Sequence, residues 1–152
     1  MLSNVQIRLA VFCFALAAAG LVFGAQFALA DEPHTPAKGS AERKAIMDAI
    51  RPTYKGEGSD GQIVFLVNYL KVHNGWAWAD VTPLGSDNKP VAEGGPAFLH
   101  YENQVWKAID LSTIPEDPKD PLGPEDASPG FIRNLRKMYP GVPLDIFPKP
   151  KH

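Results

Sequence analysis

"QIVFLVNYLKVHNGWAWADVTP", residues 62 to 83, decides the fold. Its first half is rich in Val, Ile, Phe and Tyr and reads as a β-strand. Ile63, Phe65, Val67 and Tyr69 fall on one alternating face, and Val64, Leu66, Leu70 and Val72 on the other. Both faces are apolar, so the strand is expected to be covered on both sides. Asn74-Gly75 then supplies two residues that tolerate the positive φ angles of a tight hairpin turn. The chain returns as a second strand with a sharp division of size. Trp76, Trp78 and Asp80 share one face, and Ala77, Ala79 and Val81 share the other. From the sequence, the tryptophan face is the one expected to pack against the first helix.

Two further strands follow downstream. "LGSDNKPVAEGGP" (84–96) is a long hairpin loop, "AFLHYE" (97–102) a third strand, "NQ" a turn, and "VWKAIDL" (105–111) a fourth strand. In the fourth, Trp106, Ala108 and Asp110 alternate with Val105, Lys107, Ile109 and Leu111. The pattern "HNGWAWADV" recurs loosely as "ENQVWKAIDL": each has an Asp four residues after a Trp, a spacing that keeps both on one strand face. Shared hairpin grammar explains it without a true repeat.

Helices bracket the strands. "SAERKAIMDAIRP" has Ser40 as N-cap, Glu42 in the first turn, and an apolar stripe of Ala45, Ile46, Ala49 and Ile50 closed by Pro52. Residues 114 to 128 form an acidic, Pro-rich connector without periodicity, which reads as a solvated linker or a dock for a basic partner. Ser128-Pro129 opens a second helix whose apolar positions are Phe131, Ile132, Leu135, Met138 and Tyr139. The tail "GVPLDIFPKPKH" offers Leu144, Ile146 and Phe147 as anchors. One short helix covers only one face of a sheet. The second face needs either the C-terminal helix 129–139 with its tail or a second copy of the chain. The apolar stripe of that helix needs a burial site of its own, so packing in cis is expected and a homodimer is optional.

The N-terminus reads as an export signal. Residues 1 to 30 carry one charged side chain, Arg8, ahead of the mostly apolar run "LAVFCFALAAAGLVFGAQFALA". The run ends in Ala28-Leu29-Ala30, small residues where a signal peptidase inspects the chain, and the polar leader 31–39 follows. The alternative is an uncleaved membrane anchor, since the run exceeds the ~18 residues that span a bilayer. Ala-Leu-Ala, Gly20 and Gly24 favour cleavage. Cys13, deep inside the run, is the only cysteine. The mature chain of 122 residues thus has no disulfide and must be held by its core. Without Arg8 it keeps 14 basic against 17 acidic residues, a net charge of −3. That argues against nucleic acid as a partner, and after cleavage no stable membrane insertion is expected.

The fold class read from this order is α+β: an N-terminal helix on a four-stranded antiparallel meander, then a short helix and tail. It resembles the cystatin-like and NTF2-like folds, in which a sheet curls around an N-terminal helix. More narrowly, "GSAERKAIMDAIRP", "GWAWADVTP", "VWKAIDL" and "PLDIFP" resemble a group of small exported bacterial proteins, most of them described only as hypothetical. The resemblance spans most of residues 39 to 148. It implies the fold and the periplasm, and brings no catalytic residues with it.

Six residues are candidates for ligand contact: Trp76, Trp78, Asp80, His100, Trp106 and Asp110. The tryptophans could stack on a sugar, peptide or lipid headgroup; large aromatics on strand faces also dominate the cores of small domains. Asp80, His100 and Asp110 could converge as the Asp/His pairs of NTF2-like enzymes do for proton abstraction; near strand ends they could equally face water or bond turn backbone. No catalytic set is assigned. The histidines lack metal-ligand spacing and no mature cysteine exists, so no metal and no cofactor is expected. There is no G-x-S-x-G, and "GEGSDG" precedes a strand instead of a helix. The expectation is a periplasmic or secreted, non-catalytic binding domain for a protein, peptide or cell-envelope component. The alternatives are an NTF2-like small-ligand pocket protein or enzyme, and an inhibitor that protects the envelope.

Cleavage after Ala30 predicts that intact-mass analysis of the exported protein finds Asp31 as first residue. A membrane-fraction mass that retains residues 1 to 30 would establish the anchor instead.

Overall fold

The computed structural model describes residues 32–54, 63–120 and 122–149. The segment read as an export signal, and Cys13 within it, lie outside the described residues. The protein is α+β. Helix α1 (Ala41–Ile50) precedes strands β1 (Val64–His73), β2 (Trp76–Leu84), β3 (Gly95–Glu102) and β4 (Val105–Ile109), and helix α2 (Pro129–Met138) follows. The strands form one antiparallel sheet in the order β1-β2-β3-β4.

Local chemistry sets the element ends. Ser40 Oγ accepts from Arg43 N–H at the start of α1, and Ser128 Oγ from Phe131 N–H at the start of α2. Asn74 and Gly75 take φ of 48° and 76° and turn β1 into β2; Asn103 and Gln104 do the same between β3 and β4 at 51° and 65°. The fourth strand stops earlier than the sequence pattern suggests, because Asp110 caps a 3-10 turn over Leu111–Thr113.

The sheet separates two cores. Ile46, Met47 and Ile50 of α1 pack with Leu70, Val72, Ala77, Ala79, Val81, Leu99 and Trp106. On the other face Trp76, Trp78 and Phe98 pack with Phe131 and Leu135 of α2 and with Val142, Ile146 and Phe147 of the tail. The tryptophan face of β2 is therefore not the α1 face, contrary to the sequence expectation. The alanine face receives α1 instead, since small side chains there let the helix axis come close. The large rings stand where a short helix and an extended tail leave more depth to fill. Trp106 belongs to the α1 side, so the three tryptophans are divided between the cores.

The first strand also departs from simple alternation. A bulge between Val67 and Tyr69 shifts its register against β2, and one extra residue flips the faces that follow. Phe65 and Val67 before it, and Leu70 and Val72 after it, all reach the α1 core, while Tyr69 turns to the other. Asn68 stands at the bulge, and its amide donates to Asp80 Oδ1 at 3.3 Å and Thr82 Oγ1 at 3.2 Å. Full cover fails at the start of β1, where Val64 and Leu66 are 57% and 53% exposed.

The segment before α1 closes the outer edge of β1. His34 and Val72 exchange both backbone hydrogen bonds, at 2.9 and 2.8 Å, and Thr35 Oγ1 donates to Leu70 O. His34 Nε2 lies 2.9 Å from Glu42, which joins this segment to α1.

Truncating a large buried aromatic costs about 3–5 kcal/mol. Trp78→Ala and Trp106→Ala, one per core, should each lower the denaturant midpoint by that order. Leu144→Ser, at a side chain that is 57% exposed, should stay within about 0.5 kcal/mol of wild type. Equal midpoints for all three variants would show that the aromatic cores do not carry the stability.

Candidate functional site

The six candidate residues do not form one constellation. Trp76, Trp78, Asp80 and His100 lie on the face shared with α2 and the tail, Trp106 lies on the α1 side, and Asp110 sits past the end of β4. Trp76 pairs with His100 and Asp80 with Pro96. Those rungs are four residues apart, or about 13 Å along the strand, so Asp80 and His100 do not meet.

Each polar candidate has a local task. Trp76 stacks on His100 with ring centroids 4.0 Å apart and on Phe98 at 5.2 Å, and Tyr139 closes its edge at 5.7 Å. Rings fill the space beside the histidine. Asp110 Oδ1 accepts from Ser112 Oγ–H at 2.8 Å and from Ser112 N–H at 2.9 Å. Those two donors hold its carboxyl below the usual aspartate range. A carboxylate so held caps a turn and is a poor proton acceptor. Among the described residues, no group of three His, Cys, Asp or Glu side chains could hold a metal, and no helix is long and apolar enough to cross a membrane.

Open space lies elsewhere, under the connector. A cleft of about 440 Å³ is bounded by Tyr69, Trp78 and Asp80 of the sheet, by Glu125 and Asp126 of the connector, and by Pro148 and Lys149 of the tail. Two of the sequence candidates, Trp78 and Asp80, thus border one cavity. Burial pushes the Tyr69 phenol up, and the nearby Asp145 carboxylate adds to the shift. A larger cavity of about 590 Å³ is lined mostly by the connector itself, with Ile114 and Phe131 among its lining and Glu116, Asp117 and Asp120 around it. Leu122 and Glu125 border both cavities.

The connector that shapes these cavities is fixed to α2. Asp117 pairs with Arg133, Asn134 Nδ2 donates to Pro115 O at 2.9 Å, and Ser128 Oγ donates to Leu122 O at 2.7 Å. Asp120 Oδ2 accepts from Gly130 N–H at 2.5 Å, where a negative group also suits the helix dipole. Glycine suits the position: a Cβ at residue 130 would stand 2.6 Å from the Asp120 side chain and force it to move. The acidic composition of the segment read as a linker is therefore partly structural. Sequence reasoning did not single out Asp117, Asp120 or Tyr69; Gly130 directly after a helix-opening proline was the signal present.

Compared with known protein families, curated proteins and solved structures, the chain matches none of them.

Asp117 gives a pH-dependent test of the connector's attachment to α2. The Lys119 backbone N–H, and after it the Arg133 guanidinium, hold its carboxyl below the usual range. A folded-state pKa below the unfolded value stabilises at neutral pH, and that contribution is lost as pH falls through the folded pKa. Asp117→Asn should therefore melt lower than wild type at pH 7, and the two melting curves should converge in strong acid. A gap that persists or widens toward low pH would show that the pair does not act through this charge.

Proposed function

We propose that the chain is exported to the periplasm or the cell exterior after cleavage at Ala30, and acts there as a small non-catalytic binding domain. Its partner is a protein, peptide or cell-envelope component that presents a basic group. The likeness of the element order to cystatin-like or NTF2-like folds fits this reading, as does the polar leader behind an apolar N-terminus. One observation carries it: a cleft on the tryptophan face opens at Trp78 and Asp80 beside an acidic connector, whereas the Trp76–His100 position is filled by rings. An enzyme of the NTF2-like kind would need its Asp and His to share a cavity. A binding site needs an aromatic and aliphatic wall with a few polar groups that fix orientation. Tyr69, Trp78 and Pro148 supply the wall, and Asp80, Glu125 and Asp126, three carboxylates against Lys149, favour a cation.

The test is a titration of the isotope-labelled mature chain with short Lys- and Arg-bearing peptides and with their Glu-bearing counterparts. Basic peptides should shift resonances of Tyr69, Asp80 and Asp126, and Asp80→Asn should weaken binding about three- to tenfold. Equal binding of the acidic peptides would defeat the charge argument. A turnover activity abolished by His100→Ala, with melting temperature unchanged, would defeat the non-catalytic one.

A further inference from the structure

α2 and the tail also bound a second groove. It holds about 400 Å³ between the helix and the tail, with Pro129, Ile132, Leu144 and Pro148 among its apolar walls and Arg133 and Arg136 beside them. Phe131 and Leu135, on the inner face of the helix, are already spent on the core. Ile132 and Arg136 are one helical turn apart and so stand side by side. Leu144 is 57% exposed although Ile146, in the same 3-10 turn, is fully buried.

The two arginines differ in commitment. Arg133 is paired with Asp117. Arg136 has no hydrogen bond or ion pair among the described residues. The groove's own lining carries Arg133 and Arg136 and no carboxylate. A cationic ligand would be repelled here, and a neutral one would gain only from apolar contact. An anion attached to an apolar body gains both that contact and a charge-assisted hydrogen bond to a planar donor. We infer that this groove binds an anionic amphiphile, with its carboxylate or phosphate on Arg136 and its aliphatic chain across Ile132 and Leu144. The groove shares Ala127, Pro129 and Pro148 with the cleft described above, but its charge preference is opposite, so either reading can fail alone.

Dodecanoate below its micelle concentration is the probe, titrated into the labelled mature chain, with dodecyltrimethylammonium as the control of opposite charge. Dodecanoate should shift resonances of Ile132, Arg136 and Leu144. Arg136→Gln should weaken it about tenfold, and Leu144→Ser should weaken it as well. Both side chains are exposed, and unchanged melting curves will show that both variants fold. The cationic amphiphile should bind wild type no better than dodecanoate binds Arg136→Gln. The inference is overturned by absence of binding, by equal affinity for the two amphiphiles, by unchanged affinity in Arg136→Gln, or by shifts at Tyr69 and Asp80 instead. Adsorption to phosphatidylglycerol vesicles without binding of monomeric dodecanoate would also overturn it, and would assign the face to a lipid surface.

Discussion

The structure depends on the alternation of large and small side chains along β2. Trp76 and Trp78 project to one face of the sheet, and Ala77 and Ala79 to the other. A strand cannot change which residues share a face without a slip that moves all of them. That division therefore sets the depth of each core before any helix arrives. The shallow side admits α1 at close range, through Ile46 and Ile50, which are fully buried. The deep side requires aromatic bulk from above, and Phe131, Tyr139 and Phe147 bring rings within 6.0 Å of the two tryptophans. Phe131, Leu135, Val142, Ile146 and Phe147 thus make α2 and the tail part of the domain's interior.

A second constraint follows at the edge. Among the described residues β1 pairs with a full strand on one side, that of β2, and an edge strand exposes backbone groups that invite association. The bulge at Asn68 divides it into two stretches with different surroundings. The later stretch is closed by His34 and Thr35. The earlier stretch turns Phe65 and Val67 inward and leaves Val64 and Leu66 toward solvent. The bulge also brings the Asn68 amide to Asp80 and Thr82, which ties the irregular point of β1 to the strand that organises the sheet.

Strand number, antiparallel order and the tight Asn74-Gly75 turn were legible in the sequence because each rests on local chemistry: period-two burial, β-branched and aromatic content, and residues that accept positive φ. The choice of face for α1 was not legible. Alternation says which residues travel together and not which neighbour they meet, and Trp106 looked equivalent to Trp76 until its strand was paired. The bulge had a visible signal, a lone Asn inside an apolar run, whose meaning depends on a partner strand 12 to 14 residues away. Leu144 looked like an anchor beside Ile146 and Phe147, yet the 3-10 turn over Leu144–Ile146 leaves it outward. Of the candidate site, Trp78 and Asp80 were legible as neighbours on one strand face. The connector side of the cleft was not, because its fastening joins residues 10 to 19 positions apart with no period to betray them.

That fastening changes the meaning of the connector's charge. An acidic, proline-rich segment with no partner would stay solvated and mobile, since it has too little apolar surface to offset its ordering entropy. Here Asp117 and Asp120 are drawn to the first turns of α2, one by a guanidinium and one by a helix N–H. The prolines lower the entropy that remains to be lost. Glu125 and Asp126, beside Asp80, make no ion pair among the described residues and keep their charge at the cleft. The same ordering that engages two of the connector's five carboxylates thus holds Glu125 and Asp126 in place along the rim of a cleft. Preorganised charge discriminates better than mobile charge because no ordering cost is left at the moment of binding. The connector's two roles, strap for α2 and wall of the cleft, are therefore one physical fact seen from opposite sides.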